Sequence, residues 1–329
     1  MNVPKVSVVI PLYNKAPYIK RAINSILSQT VQDFEIIVIN DGSIDGGEKI
    51  VEEYCDSRIH LINQENKGVS VARNKGVEAS SSDLIAFLDS DDEWLPEFLE
   101  TILRLREIHP KAGIYSTAIL NCYPLKKKRQ ESYTCIPSQC YGIDDGYEGI
   151  VHKPFLCAAI GGVFPGQTSS ISIPKSIFLE TGGFMDGCKM GEDLDLFARI
   201  CLFHDYVHST KPLAKYIHED NNSATANTSL AILDEYPFEI SIKNMVSNGL
   251  MENYEKWDEV NIYLDSLHIG RAGWYQRVGD KYKAKEELKK VTSPILLSRK
   301  RLTLISMSLP ESLLPIARFF WKCIKMLCN

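Results

Sequence analysis

The sequence predicts an α/β fold, in which a mostly parallel sheet is flanked by helices and followed by a helical C-terminal region. Two observations carry this prediction. In the N-terminal part, short β-branched runs such as 6–11 alternate with amphipathic helical segments such as 18–27. From about residue 226 onward, only helical periodicity remains. Because strands that alternate with helices form right-handed parallel units, we predict a sheet domain at residues 1–225 and a helical region at 226–329.

The first predicted strand, residues 6–11, is short, β-branched and nearly all apolar, which is typical of a buried parallel strand. With it, four strands are predicted, at residues 6–11, 34–39, 58–62 and 84–88, with helices in the connections. Polar residues follow three of them, namely Tyr13 and Asn14, then Asp41, then 89–92. Ligands of such sheets bind outside the carboxyl ends of the strands. We therefore expect these residues to converge on one site.

The later elements are predicted from periodicity and turn residues. The expected order is a helix at 96–109, a strand at 113–122, a loop-rich region at 139–164, a strand at 168–173, a helix at 192–202, two short strands at 206–208 and 213–217, and helices at 230–250, 257–277 and 281–291. The helix at 192–202 follows Gly191 and buries an apolar face. The C-terminal helices form a separate appendage to the sheet domain.

The most unusual stretch is 87–94, where four acidic side chains stand within five residues directly after an apolar strand. Carboxylates this close repel one another and are costly to desolvate. They could cap the helix that begins at Pro96, or they could hold a hard divalent cation, which prefers carboxylate oxygens. The convergence of polar strand ends favours the cation. Asp92 and Glu93 remain candidates for the cap.

The net charge of −5 over 329 residues argues against a nucleic-acid binder. Residues 281–329 nevertheless hold eleven Lys or Arg against three Glu. Near the end, Arg318, Lys322 and Lys325 share one helix face beside aromatic residues. Such a pattern is typical of a helix that lies on an anionic membrane surface. Residues 310–329 are therefore predicted to bind such a membrane, or alternatively to pack on the protein's own helices.

The compartment is predicted from cysteine usage and hydropathy. Nine cysteines are scattered without a C-x-x-C pair, and no signal peptide is expected before the first strand. An odd, scattered set of cysteines indicates a reducing compartment. No uncharged apolar run reaches the roughly 18 residues that a spanning helix needs. We therefore expect a cytoplasmic protein, peripheral on the inner face of the cell membrane through its basic end.

Five motifs make the chain resemble the family 2 inverting glycosyltransferases of the GT-A fold, over roughly residues 4 to 220. They are VVIPLYN at 8–14, NDGS at 40–43, N-x-G…ARN-x-G at 66–76, DSDD at 89–92 and GEDLD…R at 191–199. Each motif alone is weak, but all five in this order are specific. The Q-x-x-R-W motif of processive members does not occur. The resemblance therefore implies a non-processive bacterial enzyme that transfers a single sugar.

The resemblance implies a role for each matched residue. Nucleotide-sugar binding is implied for Pro11, Tyr13, Asn14, Asp41, Asn66, Arg73, Asp89 and Ser90. Asp193 matches the catalytic base and Glu192 its neighbour at the acceptor, although first-turn acids are also favoured by the helix dipole alone. Asp91 matches the ligand of a Mn²⁺ or Mg²⁺ cofactor. His218 matches a late metal or diphosphate ligand, with a core or surface histidine as the alternative.

Together these roles imply inverting transfer from a nucleotide-diphosphate donor, with a UDP-sugar expected, to a hydroxyl of a glycan or lipid-linked acceptor in cell-surface polysaccharide biosynthesis. A carboxylate can take the acceptor proton, and a cation can stabilise the leaving diphosphate. One alternative is a sugar nucleotidyltransferase, which generally carries a glycine-rich loop after the first strand. Another is a glycosidase, which needs no nucleotide pocket. The non-enzyme alternative is a nucleotide-sugar-binding scaffold of a membrane complex.

Overall fold

The computed structural model describes residues 3–123, 132–133, 148–161, 164–188, 190–218, 234–252 and 254–308. The chain divides into two compact units. The first contains a central sheet with its flanking helices. The second contains one helix from the middle of the chain together with the helices after residue 236. The predicted α/β class with C-terminal helices is confirmed.

Within the described residues, ten strands form one sheet in the order β3-β2-β1-β4-β9-β6-β10-β5, with β7 on β6 and β8 on β10. Their bounds are β1 Val6–Leu12, β2 Phe34–Asp41, β3 Ile59–Gln64, β4 Leu84–Phe87, β5 Glu93–Trp94, β6 Ile114–Cys122, β7 Ser132–Tyr133, β8 Glu148–Ile150, β9 Ile171–Pro174 and β10 Tyr206–Ile217. β1 to β4 pair in parallel, and β6 pairs in parallel with β10. β9 joins these two parallel parts by pairing antiparallel with β4 and β6.

The helices of the first unit are α1 Ala16–Leu27, α2 Gly47–Glu52, α3 Val69–Ala79, α4 Phe98–Ile108, α6 Lys175–Glu180 and α7 Glu192–Phe203. β1 is buried along its whole length, as its nearly all apolar run predicted. α1 packs its buried face, including Ile19, Ile23 and Ile26, into the main core cluster with β1 and β2. These helices fix the carboxyl ends of the parallel strands at one edge of the sheet.

Three predicted segments differ from the structure. The region 139–164 is not loop throughout, because β8 and helix α5, Pro154–Gly161, lie in it. The strand predicted from residue 168 begins only at Ile171, after a 3₁₀ turn at Thr168–Ser170. The two short strands predicted around 206–217 are one strand, β10, whose pairing with β6 shifts register on both sides of Pro212. Proline lacks the ladder N–H, and the bulge accommodates it without ending the strand.

α3 lies so close to β1 that one position requires glycine. A Cβ on Gly76 would stand 2.3 Å from Cγ1 of Val9 and 3.1 Å from its Cγ2. Contacts this short force backbone or side-chain shifts in a core packed at crystal-like density. The close approach packs the C-terminal half of α3 against the middle of β1.

We therefore expect Gly76→Ala to lower the free energy of unfolding by about 1–3 kcal/mol, the usual range for an overpacked core. Urea unfolding followed by circular dichroism measures the change. The matched control is the same substitution in a Val9→Ala background, where the opposing methyl groups are gone. There we expect the loss from Gly76→Ala to be clearly smaller, because contacting residues couple. An equal loss in both backgrounds would contradict the assigned clash.

The second unit contains α5 together with α8 Pro237–Ser247, α9 Trp257–Arg277, α10 Lys281–Lys290 and α11 Leu297–Ser308. Phe155, Phe238 and Tyr263 form an aromatic cluster, with ring centroids 5.5 to 6.0 Å apart. The buried guanidinium of Arg271 joins three helices by ion pairs with Glu239 of α8 and Glu287 of α10. No helix in the described part of the chain is both long enough and apolar enough to cross a membrane. The predicted membrane-binding helix, 310–329, lies outside the described residues.

Candidate active site

The loops after β1 and β2 are tied together by hydrogen bonds from the backbone N–H groups of one loop to polar side chains of the other. Asn14, with a positive φ of 51°, accepts from the backbone N–H of Ile44 through Oδ1 at 3.0 Å. Its own N–H donates to Oγ of Ser43 at 3.1 Å. Pro11 is buried in β1, whereas the ring of Tyr13 is 49% exposed. The loop pair thus presents an aromatic face beside the strand ends, which suits stacking against a planar ring.

Asp41 organises the start of α3. Its Oδ1 accepts from Nε2 of Gln64 at 2.7 Å and from the N–H of Lys67 at 2.8 Å, while Oδ2 accepts from the N–H of Gly68 at 2.9 Å. Gly68 is the N-cap residue of α3, with a φ of 91°. Since a carboxylate has about four acceptor positions, one position remains for a ligand. Asn66, in the same loop, is exposed.

A serine from the turn before β9 holds the loop after β4, residues 89–92, which is called the acidic loop below. Oγ of Ser169 accepts from the N–H of Asp89 at 3.1 Å and donates to Oδ2 of Asp92 at 2.5 Å. Oδ1 of Asp92 accepts from the N–H of Ile217 at 3.1 Å. Burial, followed by the charges of Asp89 and Asp91, raises the pKa of Asp92 well above its ordinary value. Asp92 is therefore an internal brace of the loop, and Ser90 is buried beside it.

The alternative role of Asp92 and Glu93 as helix caps is wrong. α4 begins at Phe98, its N-cap residue is Glu97, and no side chain caps it by a hydrogen bond. Asp92 instead bonds to Ser169 and Ile217, while Glu93 lies in β5 and pairs with Lys215 at 2.6 Å. The reason is that the short β5 pairs with β10 and moves both acids away from the start of the helix.

Asp91 points toward α1 and meets two cations there. Its Oδ2 accepts from Nζ of Lys15 at 2.5 Å, and its backbone carbonyl accepts from Nη2 of Arg21 at 2.5 Å. The side chain of Asp91 is 22% exposed and that of Asp89 is 31% exposed. Lys15 thus supplies a counter-charge for the cluster, with a contact that the sequence did not indicate.

The residues of the acidic loop fit a hard divalent cation in part. Their donors are carboxylate oxygens, which Mn²⁺ and Mg²⁺ accept. Burial and then the charges of Asp89 and Asp91 raise the pKa of Asp92, and added positive charge would relieve the repulsion among these carboxylates. Among the described residues, no three His, Cys, Asp or Glu side chains meet as a complete ligand set. A cation at Asp91 would therefore need oxygens from a substrate to complete its coordination.

His218 lies near this loop through its chain neighbour, because Ile217 donates to Asp92. Its ring stacks on that of Tyr123, with centroids 4.2 Å apart, and its Nε2 stands 3.2 Å from Oδ1 of Asn121. Burial lowers the pKa of His218, which favours the neutral ring that a metal requires. In the described structure these neighbours hold the ring.

Arg73 joins the acidic loop to the other acidic motif. Its Nη2 donates to Oδ1 of Asp89 at 2.7 Å and its Nη1 donates to Oε1 of Glu192 at 2.9 Å. The side chain is 4% exposed and its guanidinium stands 5.2 Å from the ring centroid of Phe184. Burial alone would lower the pKa of Arg73. The charges of Asp89 and Glu192 outweigh that effect and raise the pKa above its ordinary value. The guanidinium is therefore a permanent positive charge between the two motifs.

Asp193 stands in the first turn of α7, after Gly191, whose φ of 81° turns the chain into the helix. Its Oδ1 accepts from the N–H of Leu194 at 2.8 Å, and its Oδ2 faces Oγ1 of Thr168 at 3.4 Å. Burial and the neighbouring charge of Glu192 raise the pKa of Asp193 to about 6, against the opposing charge of Arg73. A carboxylate with this pKa is a better proton acceptor near neutral pH than an ordinary aspartate.

The second half of the same motif is structural. Asp195 is fully buried and pairs with Arg199 at 2.7 Å. Arg199 also donates to the carbonyl oxygens of Thr181 and Gly183. The turn at 182–184 is held from its other side by Asn74, which both donates to and accepts from the backbone of Phe184. This turn places the Phe184 ring against Arg73.

The structure thus brings most predicted residues to one edge of the sheet. Arg73, Asp89 and Glu192 are in contact, Asp193 is adjacent to them, and Ser90 and Asp91 follow on the same loop. Asn14 and Asp41 act through the loops that they hold, and His218 lies beside the acidic loop. Three contacts were missed from the sequence, those of Lys15, Thr168 and Ser169. Single lysines, threonines and serines occur everywhere in a chain, so no pattern singled them out.

Comparison with known proteins places the chain in context. The family model described as "Glycosyl transferase family 2" matches residues 7–153. The uncharacterized glycosyltransferase RP339 of Rickettsia prowazekii is 32% identical over 236 residues, which are 71% of this chain and 69% of that protein. The putative glycosyltransferase EpsH of Bacillus subtilis is 44% identical over 106 residues, 32% of this chain and 31% of EpsH. The chain spans about a third or less of the length of the first curated relatives it matches.

Among solved structures, S. aureus TarS 1–349 in complex with UDP-GlcNAc has a TM-score of 0.67 against this chain at 17% sequence identity. The superposition covers 92% of this chain and 89% of TarS 1–349. A likeness at this level of identity speaks for the fold. It confirms the GT-A architecture that the sequence predicted.

Proposed function

The chain belongs to glycosyl transferase family 2, and from this premise we propose that it moves a single sugar from a nucleotide-diphosphate donor to a hydroxyl of an acceptor. The observation that carries the proposal is the position of Arg73, whose guanidinium contacts Asp89 and Glu192 at 2.7 and 2.9 Å. A group that binds a donor and a group that activates an acceptor must lie this close, because sugar transfer takes place between them.

The donor is proposed to be a UDP-sugar that binds at the ends of β1, β2 and β4. Tyr13 offers an exposed ring for the base, and Asp41 has one acceptor position left beside Asn66. Asp89 and Ser90, on the acidic loop, are the proposed contacts of the ribose and the diphosphate. The complex of TarS with UDP-GlcNAc, a protein of the same fold, supports the choice of nucleotide.

The proposed reaction inverts the anomeric carbon. The acceptor oxygen forms the new bond to that carbon while its proton passes to Oδ2 of Asp193, and the bond from carbon to the diphosphate oxygen breaks on the opposite face. Asp193 must be ionised to act, and its pKa of about 6 leaves it mostly ionised at neutral pH. Glu192 lies beside it at the acceptor and accepts from Arg73.

We propose Mn²⁺ or Mg²⁺ as the cofactor, held by Asp91 with His218 as a further candidate ligand. When bound there, such a cation supplies Lewis-acid stabilisation for the charge of the leaving diphosphate. Lys15 competes for the same carboxylate, since its Nζ stands 2.5 Å from Oδ2 of Asp91. The acceptor is proposed to be a glycan or a lipid-linked precursor. We also propose that residues 310–329 bind an anionic membrane surface.

The test is a panel of UDP-, GDP- and dTDP-sugars incubated with the purified chain and Mn²⁺ or Mg²⁺, followed by measurement of free nucleoside diphosphate. We expect release from at least one donor and its loss on chelation with EDTA. Glu180→Gln is the matched control, because this carboxylate is 69% exposed and lies outside the site residues. Nucleotide-sugar binding by calorimetry without turnover would favour the scaffold alternative. Turnover that survives EDTA would remove the cation from the proposal and leave the transfer.

A further inference from the structure

The turn Thr168–Ser170, between residue 167 and β9, contacts both acidic motifs of the site, although neither the family motifs nor the predicted sheet edge points to it. All three residues are at least 96% buried. The turn is closed by its own hydrogen bonds, since the N–H of Ser170 donates to the carbonyl of Gln167 at 2.8 Å and the N–H of Gln167 donates to Oγ of Ser170 at 3.0 Å. It leads directly into β9, which pairs with β4 and β6. Its position is therefore fixed by the sheet.

One side of the turn holds the acidic loop. Oγ of Ser169 accepts from the N–H of Asp89 and donates to Oδ2 of Asp92, so one hydroxyl sets the loop at two points. The carbonyl of Ser169 accepts from Nε1 of Trp94 at 2.6 Å, which fixes the end of the same loop. Small movements of these donors would shift the carboxylates of Asp89 and Asp91, because they belong to the same short loop.

The adjacent residue faces the proposed base. Oγ1 of Thr168 stands 3.4 Å from Oδ2 of Asp193, a long hydrogen bond of the kind that often tightens when substrate binds. The other charged groups around Asp193 are Glu192 on α7, Arg73 on α3 and Asp89 after β4. A hydroxyl that donates to a carboxylate stabilises its ionised form. Thr168 therefore orients the oxygen that would take the acceptor proton.

We propose that Thr168 and Ser169 are positioning residues, which set the distance between the donor-binding loop and the general base. The inference rests on the proposed transfer reaction. Two neighbouring hydroxyls on one rigid turn control the two halves of the site separately: Ser169 governs donor binding and Thr168 governs the proton acceptor. Thr168 acts through the carboxylate of Asp193, and Ser169 acts through the acidic loop.

The test separates these two effects. Ser169→Ala removes both hydrogen bonds of this hydroxyl to the acidic loop, and we expect it to weaken binding of UDP with Mn²⁺ about tenfold by calorimetry. In steady-state kinetics it should raise KM for the donor more than it lowers kcat. Thr168→Val keeps the side-chain shape and is expected to lower kcat about tenfold with little change in donor KM. Thr168→Ser, which retains the hydroxyl, should restore kcat.

A readout without turnover distinguishes failure of the inference from failure of the proposed function. Carbon-13 NMR of labelled aspartate carboxyls, assigned with Asp193→Asn, follows the titration of Asp193 in the intact chain. Thr168→Val should raise its midpoint by about half a pH unit, because the ionised form loses a donor. Ser169→Ala should leave that midpoint unchanged.

Ser170→Ala is the matched control, since its hydroxyl bonds within the turn to Gln167. We expect it to lower the free energy of unfolding. It should neither weaken UDP binding selectively, as Ser169→Ala does, nor shift the Asp193 titration midpoint selectively, as Thr168→Val does. An unchanged Asp193 midpoint in Thr168→Val together with unchanged UDP affinity in Ser169→Ala would overturn the inference. The same loss pattern in all three variants would also overturn it, because it would show a general packing role. Absence of turnover in the unaltered chain, with the NMR and calorimetric shifts intact, would sink the proposed function alone.

Discussion

Asp193→Asn is expected to lower kcat by about 10²–10⁴-fold, the usual contribution of a positioned general base. The amide keeps the size of the side chain but cannot take the acceptor proton. Arg73 should stay in place, because its hydrogen bonds are with Asp89 and Glu192, which the substitution leaves unchanged. Donor KM should change little, since Asp193 is not among the donor-binding residues. Initial rates of nucleoside diphosphate release at saturating donor measure the effect.

The same assignment fixes a pH dependence. The pKa of Asp193 is raised to about 6, and the base must be ionised to act. Below that pH the carboxyl is protonated, so log(kcat/KM) of the unaltered chain should fall with a slope of one as pH drops through about 6, and should be flat above it. The exposed-carboxylate variant Glu180→Gln should show the same profile. A rate that is independent of pH between 5 and 7, or full activity of Asp193→Asn, would contradict the base assignment.

Arg73→Gln is the second change from which we expect a large effect, a fall in kcat/KM of about 10²-fold or more. The guanidinium is buried and bridges Asp89 and Glu192. Breaking such a buried pair costs roughly 3 kcal/mol, which corresponds to about two decades in rate if it is felt in the transition state. Without the bridge, the donor loop and the base helix lose their common contact and their carboxylates repel one another.

Arg73→Gln should also move the pH profile. The positive charge of Arg73 opposes the rise in the pKa of Asp193, so its removal should shift the midpoint of kcat/KM to a pH above 6. Arg73→Lys is the matched control, because it keeps the charge but lacks the planar fork that contacts two carboxylates at once. It should keep the midpoint near 6 and still lose activity. A midpoint unchanged in Arg73→Gln would show that Arg73 does not act electrostatically on Asp193.

The elements that the sequence predicted well are those whose local pattern and final environment agree. β1 and β2 are mostly apolar and almost entirely buried, and α9 covers the predicted range 257–277. α5 was missed because its sequence is apolar on every side and has no 3.6-residue period to read. β10 was divided in two because Pro212 normally ends a strand, and only pairing with β6 shows the bulge that carries the strand past it.

The site was predicted in its acids and missed in its hydroxyls. Asp89, Arg73 and Glu192 belong to motifs with distinctive spacing, and the structure places them in contact. Ser169 could not be recognised, because its two contacts with the acidic loop depend on β9 lying between β4 and β6, a tertiary arrangement with no local signal. That Asp41 binds the base stays a prediction, and the hydrogen bonds of its carboxylate in the structure are with Gln64, Lys67 and Gly68.

The strand order has a consequence for synthesis on the ribosome. β1, β2 and β4 can pair as soon as residue 87 has emerged, yet β9, the other neighbour of β4, lies at residues 171–174. Until then the nascent chain presents an open, apolar strand edge, the kind of edge that invites pairing with another chain. The acidic loop waits longer still, because Ile217, which donates to Asp92, is translated 125 residues after it. During its synthesis this chain therefore passes through a long interval with an unpaired strand edge, in which protection by chaperones matters most. Synonymous codons that slow translation between β4 and β9 should lengthen this interval.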